Sequence, residues 1–272
     1  MNDQAQAALP PKALIGMIHV RPTPASPANS GESVEMLGAV ASQEARILAE
    51  SGFDAVIIEN MHDAPYIHGD RLGPEVVSAM TRVGLEVQHA IDLPLGVQIL
   101  SGGNRHAVAV AQSVGAGFIR CENFVFAHVA DEGLLGEAEA GALLRYRRQI
   151  GAQSVRVFCD IKKKHASHAI TADVSLGECV HAAEFFGADG VIITGASTGR
   201  PASIEDVREA REATALPLLI GSGVTTESVP ALLEHADGLI VGSAIKKGGL
   251  WSEALNPARC EAMVKAARAA RG

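Results

Sequence analysis

Eight short runs of branched apolar residues, at 13–19, 55–59, 95–99, 118–121, 155–161, 191–194, 218–220 and 239–241, recur along the chain. Each is too short for a buried helix and gives way to glycine or polar residues, so each reads as a strand buried on both faces. Stretches of helical period lie between them, clearest at 34–50, 75–90, 105–114, 174–185 and 204–213. One device introduces three of the strands: a small residue ends a helix, an aspartate makes the turn, and an apolar strand follows, at Asp54, Asp189 and Asp237. Strands that alternate with helices make a parallel sheet. Eight such units in 272 residues, with no linker between them, predict a single-domain (β/α)8 barrel over residues 12–272. Residues 1–11 are predicted to be a flexible arm. The proline-rich segment 21–27 is predicted to be a long loop over the barrel mouth.

Aromatic residues are only 4% of the chain and glycines number 28, so the core is built from Ala, Val, Ile and Leu. The formal net charge is −8, against a broad nucleic-acid surface or a polybasic membrane patch. No stretch is long and apolar enough for a membrane span. The start lacks the pattern of a signal peptide. Cys121, Cys159, Cys179 and Cys260 are widely separated, with no C-x-x-C spacing, which suits reduced thiols in a cytoplasmic protein.

A barrel places its chemistry at the carboxyl ends of its strands. The residues expected there are His19; Glu59 and Asn60; Gln98 and Asn104; Arg120 and Glu122; Asp160, Lys164 and His165; and Thr194 and Gly195. Gly221, Ser222 and Gly223 follow the seventh run, and Gly242 and Ser243 the eighth. Glycine lets backbone N–H groups turn toward an anion, and these two loops commonly bind phosphate in this fold. Lys246 and Lys247 could reinforce such a site, and Trp251 could line it or a subunit contact.

If the fifth strand stays extended, Asp160, Lys162 and Lys164 share a face by the two-residue period. Crowded lysines depress one another's pKa, which readies one as a general base or a Schiff-base nucleophile. Glu59 ends a buried apolar run, so its carboxyl is either paired or used. Arg120 and Glu122 share parity and are expected either to pair with each other or to meet substrate. Arg145, Arg147 and Arg148 read as a solvated helix face, and Cys121 and Cys159 as buried packing. The histidines and carboxylates could also hold a divalent metal, although the paired H-x-H of metal-dependent hydrolases of this fold is missing at His19.

The strings IGMIH at 15–19, EN at 59–60 with DAPY at 63–66, GFIR at 117–120, KHA at 164–166 and TGASTG at 194–199 resemble the BtpA family, in the same order along nearly the whole chain. The resemblance implies a barrel of the phosphate-binding kind. One member is tied to photosystem I biogenesis, which implies an assembly or regulatory role as an alternative to catalysis. The strings at 98–104, 124–133 and 160–165 place this chain nearer the non-photosynthetic branch. It departs from the family at Met61 and His62, where many relatives have Phe-Gly or Phe-Asn, and at Glu122, where others have Asn.

The leading expectation is an isomerase, epimerase or aldolase acting on a small phosphorylated sugar or nucleotide-derived substrate. Asp160, Lys164 or His165 would move the proton, with Glu59 or Glu122 as partner, and the protein would self-associate through its outer helices. A metal-dependent hydrolase or lyase and a non-catalytic assembly factor are the alternatives.

Overall fold

The computed structural model describes residues 9–195 and 201–272. The strands are β1 (Ala13–His19), β2 (Ala55–Glu59), β3 (Leu95–Gln98), β4 (Phe118–Cys121), β5 (His128–Ala130), β6 (Gly133–Leu135), β7 (Arg156–Ile161), β8 (Ala166–Ser167), β9 (Gly190–Ile193), β10 (Leu218–Ile220) and β11 (Gly238–Val241). The helices are α1 (Val34–Ser51), α2 (Pro74–Ala90), α3 (Asn104–Val114), α4 (Ala140–Gln149), α5 (Leu176–Phe185), α6 (Ile204–Ala213), α7 (Val229–Leu233) and α8 (Pro257–Arg271). Eight strands close in the order β1-β11-β10-β9-β7-β4-β3-β2, all parallel, as the sequence predicts. The three remaining strands, β6-β5-β8, form a small antiparallel sheet that the sequence reading does not anticipate.

Two apolar layers hold the barrel. The larger lies between strands and helices; the smaller fills the barrel with Ala13, Ile15, Met17, Ile57, Phe118 and Phe158 among others. The two phenylalanine rings meet edge to face at 5.6 Å. They fit because a neighbouring strand carries glycine beside each: a Cβ on Gly96 would sit 2.3 Å from Phe118, and one on Gly190 2.3 Å from Phe158. Leu9 packs against this inner cluster, while residues 1–8 of the expected arm lie outside the described residues.

The recurrent aspartates explain themselves once the strands are paired. Each accepts the backbone N–H of a residue at the base of the neighbouring strand: Asp54 from Leu14 at 2.7 Å, Asp189 from Val157 at 2.8 Å and Asp237 from Leu218 at 2.8 Å. An arginine from a helix closes each unit, Arg271 on Asp54, Arg147 on Asp189 and Arg211 on Asp237. Arg147 is therefore a clamp rather than part of a solvated face. The proline-rich loop is also tied down, since Thr23 donates its N–H and its hydroxyl to Asp63 at 2.7 and 2.8 Å.

Candidate active site

Side chains alternate along a strand, so the inward positions stack in layers. The layer nearest the carboxyl ends falls at His19, Glu59, Gln98, Arg120, Asp160, Thr194, Gly221 and Gly242, two residues beyond the apolar positions that fill the barrel. Six of the eight carry polar side chains, and two neighbours, after β10 and β11, carry none. A Cβ on Gly221 would meet Ile192 at 2.6 Å and Arg120 at 3.1 Å, and one on Gly242 would stand 3.3 Å from His19 Nε2. Glycine at these two positions lets Ile192, Arg120 and His19 approach the backbone, and a cavity of about 480 Å³ opens on this side of the mouth.

The cavity is lined by His19, Glu59, Arg120 and Lys164 together with Gly221, Ser222, Gly223, Gly242 and Ser243. Sequence reasoning did not assign Met61 or Arg259 to it, and both line it. Met61 follows β2 directly. Arg259 lies on α8 and reaches the β11 loop through a 2.8 Å bond from Nε to Ala244 O, a placement that only the packing of α8 creates.

His19 Nδ1 lies 2.8 Å from the carbonyl of Trp251. A carbonyl only accepts, so Nδ1 carries the proton and Nε2 offers its lone pair to Glu59, 3.6 Å away. Burial, with Lys246 adding repulsion, pushes the imidazole pKa down to about 3, so the ring is neutral. Burial also raises the Glu59 carboxyl, with Arg120 and Lys164 opposing. Burial thus shifts Glu59 toward its protonated form beside a neutral imidazole whose Nε2 can accept. Trp251 itself packs on His62 at 4.9 Å between ring centres, which closes the β11–α8 loop over this corner.

Arg120 does not pair with Glu122. Its Nε donates to Asp160 Oδ1 at 3.0 Å and its Nη2 to Oδ2 at 3.1 Å, across adjacent strands β4 and β7. Burial pushes the Asp160 carboxyl up and Arg120 pulls it down. Glu122 instead meets Lys163 at 3.0 Å and the Gly102 N–H at 2.8 Å; burial would raise its pKa, and these partners hold it below the usual range. Lys163, which the sequence places at the rim with Lys162, Lys164 and Arg120, also contacts Glu132 at 3.4 Å, and Glu132 bonds Ser101.

The expected shared face of Asp160, Lys162 and Lys164 does not form. Lys162 has φ 44°, which breaks the extended chain, and its amine turns away to the Val174 carbonyl. Lys163 then enters the Glu122 cluster while Lys164 faces the cavity. Among the described residues the Lys164 amine has no carboxylate within 4 Å, and burial together with Arg120 lowers its pKa. His165, also in the left-handed region, is exposed and is not a cavity-lining residue.

The other predicted residues brace this arrangement. Asn60 ties the loops after β2 and β3 together through the Leu100 N–H at 2.7 Å and Asp63 at 3.0 Å. Asn104 holds the Glu122 backbone from both sides, at 2.7 and 3.1 Å. Thr194 Oγ1 accepts the Lys164 N–H at 3.0 Å, and the Gly195 N–H donates to Ser222 Oγ at 2.7 Å. Gln98 is buried with its Oε1 unpaired. Residues 196–199 of the TGASTG string lie outside the described residues.

Lys246 is buried against Glu44, 3.6 Å away, instead of joining the anion loops. Burial raises the Cys121 and Cys159 thiols, in keeping with packing roles. Among the described residues no three of His, Cys, Asp and Glu are grouped to hold a metal ion, and no helix is long and apolar enough to cross a membrane.

A closed eight-stranded parallel barrel defines the class: a (β/α)8 barrel with a cavity at the carboxyl ends of its strands, where this fold commonly carries its active sites. The fold is similar to that of (S)-3-O-geranylgeranylglyceryl phosphate synthase from Thermoplasma acidophilum, with a TM-score of 0.61 at 14% identity over 95% of this chain and 94% of that one. It is also similar to N-(5′-phosphoribosyl)anthranilate isomerase from Pyrococcus furiosus, with a TM-score of 0.57 at 13% identity over 95% and 99%. Within that class the chain belongs to the BtpA family, whose model matches residues 10–269. An uncharacterized mitochondrial protein of Caenorhabditis elegans is 41% identical over 93% of this chain and 91% of its own length. The photosystem I biogenesis protein BtpA of Synechocystis is 36% identical over 93% and 87%.

Proposed function

We propose that this chain is an enzyme that moves a proton on a small phosphorylated sugar-type or nucleotide-derived substrate. The phosphate would lie against the Gly221–Gly223 and Gly242–Ser243 loops, which line the same cavity as Lys164 and Glu59. The observation that carries the reading is the contrast within the charged ring. Asp160 is engaged by Arg120 and Glu122 by Lys163, whereas Lys164 faces the cavity with a lowered pKa opposite a Glu59 with a raised one. These shifts move the amine toward its neutral form and the carboxyl toward its protonated form, which favours a base and an acid set apart by environment.

In this reading Lys164 Nζ takes a proton from the carbon beside a carbonyl, and Glu59 gives its proton to the carbonyl oxygen, leaving an enediol or enol. Return of a proton to the same carbon gives an epimer; return to the neighbouring carbon gives an isomer. His19 Nε2 faces Glu59 and would keep its proton oriented. The same amine is also placed to form a Schiff base in an aldolase version. The four free cysteines support a reducing, cytoplasmic setting, and the adjacent exposed Phe185 and Phe186 support self-association.

Deuterium exchange in D2O tests this with dihydroxyacetone phosphate, ribulose 5-phosphate and fructose 6-phosphate as probes. Exchange at the carbon next to the carbonyl is expected with at least one probe, and Lys164→Met should slow it by about 10²- to 10⁴-fold. Exchange with none of the three, or exchange that survives Lys164→Met unchanged, would remove the proposal. Borohydride trapping of an adduct on Lys164 separates the Schiff-base version from simple acid–base transfer.

A further inference from the structure

The barrel-mouth cavity does not stop at the glycine loops. Beyond them it is lined by Thr225, Thr226 and Glu227, on the loop after β10, and by Arg259 and Ala262, three residues apart on one face of α8. Glu59 and Arg120, at the inner end, are buried, whereas Thr225, Glu227, Arg259 and Ala262 are exposed. One cavity therefore runs from the acid–base corner past the glycine loops to the surface. Its volume, about 480 Å³, falls in the range of pockets that enclose drug-sized ligands and exceeds what a three-carbon sugar phosphate fills.

Arg259 is the cation of the outer part. Its Nε donates to the Ala244 carbonyl at 2.8 Å, and Ala244 directly follows Ser243 of the second glycine loop. A Cβ on Gly249 would lie 3.5 Å from Arg259 Nη2, so the guanidinium is packed along the backbone of the loop between β11 and α8. Among the described residues no carboxylate lies within 4.0 Å of it, unlike the arginines that clamp the strand-base aspartates. A pinned guanidinium with no carboxylate of its own, next to a loop suited to phosphate, is placed for a second anionic oxygen group. Further out the character changes: the Thr226 hydroxyl donates to Glu227 Oε1 at 2.7 Å, and that carboxylate would repel an anion but accept from hydroxyl groups.

We propose that the phosphate of the substrate is internal rather than terminal. The ligand is a diphosphate ester: its first phosphate lies on the glycine loops, its second meets Arg259, and its far end presents hydroxyls to Glu227 and Thr226. Two phosphates that share a bridging oxygen suit two grips on neighbouring residues, the loop at Ser243 and the arginine held at Ala244. The sugar on the first phosphate then faces Lys164 and Glu59, and a ribose on the second supplies the hydroxyls. This inference rests on the phosphate position proposed above and narrows the substrate class to nucleoside diphosphate-linked sugars.

Titration calorimetry of the full chain with ribose 5-phosphate and with ADP-ribose, which extends the same sugar phosphate by a second phosphate and a nucleoside, tests it. ADP-ribose is expected to bind at least about 10-fold more tightly, the effect of added charge-assisted hydrogen bonds. Arg259→Ala should bring the ratio of the two affinities close to one. Ala262→Trp, which fills an exposed lining position on α8 without touching the Arg259 bond, should do the same. Ser243→Asp should weaken both ligands. If neither ligand binds, or if both bind regardless of Ser243→Asp, the phosphate position itself is wrong and the inference falls with it. If ribose 5-phosphate binds and is weakened by Ser243→Asp, but ADP-ribose binds no more tightly or keeps its advantage in both α8 variants, the inference alone is overturned.

Discussion

His19 and His128 sit buried and neutral, and that choice of protonation state links stability to pH. Burial is the main cause in both, and their pKa values fall to about 3 and about 4 from an ordinary 6.5. In the unfolded chain both imidazoles take up protons as the pH drops through 6.5, while the folded chain refuses them. The unfolded state then binds more protons, so stability is full above pH 6.5 and declines as the pH falls toward 4. Each histidine contributes at most about 1.4 kcal/mol per pH unit in that window. Urea denaturation between pH 7 and pH 4.5 should show this decline, and His128→Gln should flatten it; an unchanged slope would mean that His128 is protonated in the fold.

Residue positions around the mouth were legible because a period of two, carried past each apolar run, lands on His19, Glu59, Gln98, Arg120, Asp160 and Thr194. Their partners were not legible. Arg120 chooses Asp160 because the register sets Arg120 opposite Phe158 on the adjacent strand, two positions below Asp160, and no single strand contains that information. The Glu122 and Glu132 partners of Lys163 were not legible because the extended period fails at Lys162, where a left-handed residue re-aims the two lysines that follow.

Among the elements, the eight barrel strands lie within a residue or so of their predicted bounds, since buried parallel strands announce themselves as continuous apolar runs. The β5, β6 and β8 strands, three, three and two residues long, were hidden. Strands that short have no period to read; Glu132, at the β5–β6 turn, is gripped by Lys163 and Ser101. The aspartate device was visible as a repeat, but its purpose was not: its partner N–H belongs to the neighbouring strand. Asp237→Ala removes the acceptor of the Leu218 N–H and the partner of Arg211. The expected cost is about 1–3 kcal/mol, that of an unmet backbone donor, and it should appear as a lower urea midpoint. A change within error would show that water replaces the carboxylate there.

For the whole molecule, a net charge of −8 sits beside one cavity that contains Arg120, Lys164 and two glycine loops. Bulk repulsion and local attraction then act on the same ligand, and salt screens the long-range part first. Inorganic phosphate should raise the melting temperature in a saturable way, by mass action on the folded state. Ser243→Asp, which puts a carboxylate beside the proposed phosphate position, should remove that shift without lowering the melting temperature in phosphate-free buffer by more than a few degrees. A shift that persists in Ser243→Asp would place the anion elsewhere on the protein.

The bond from His19 to Trp251 spans 232 positions of the chain. On a ribosome the first barrel strand emerges well before the carbonyl that selects the tautomer of its histidine. β1 also waits for β11 to complete its pairing on one side. The imidazole therefore acquires its orientation only after Trp251 has been made, together with closure of the sheet. A chain that stops short of Trp251 lacks the bond that orients His19.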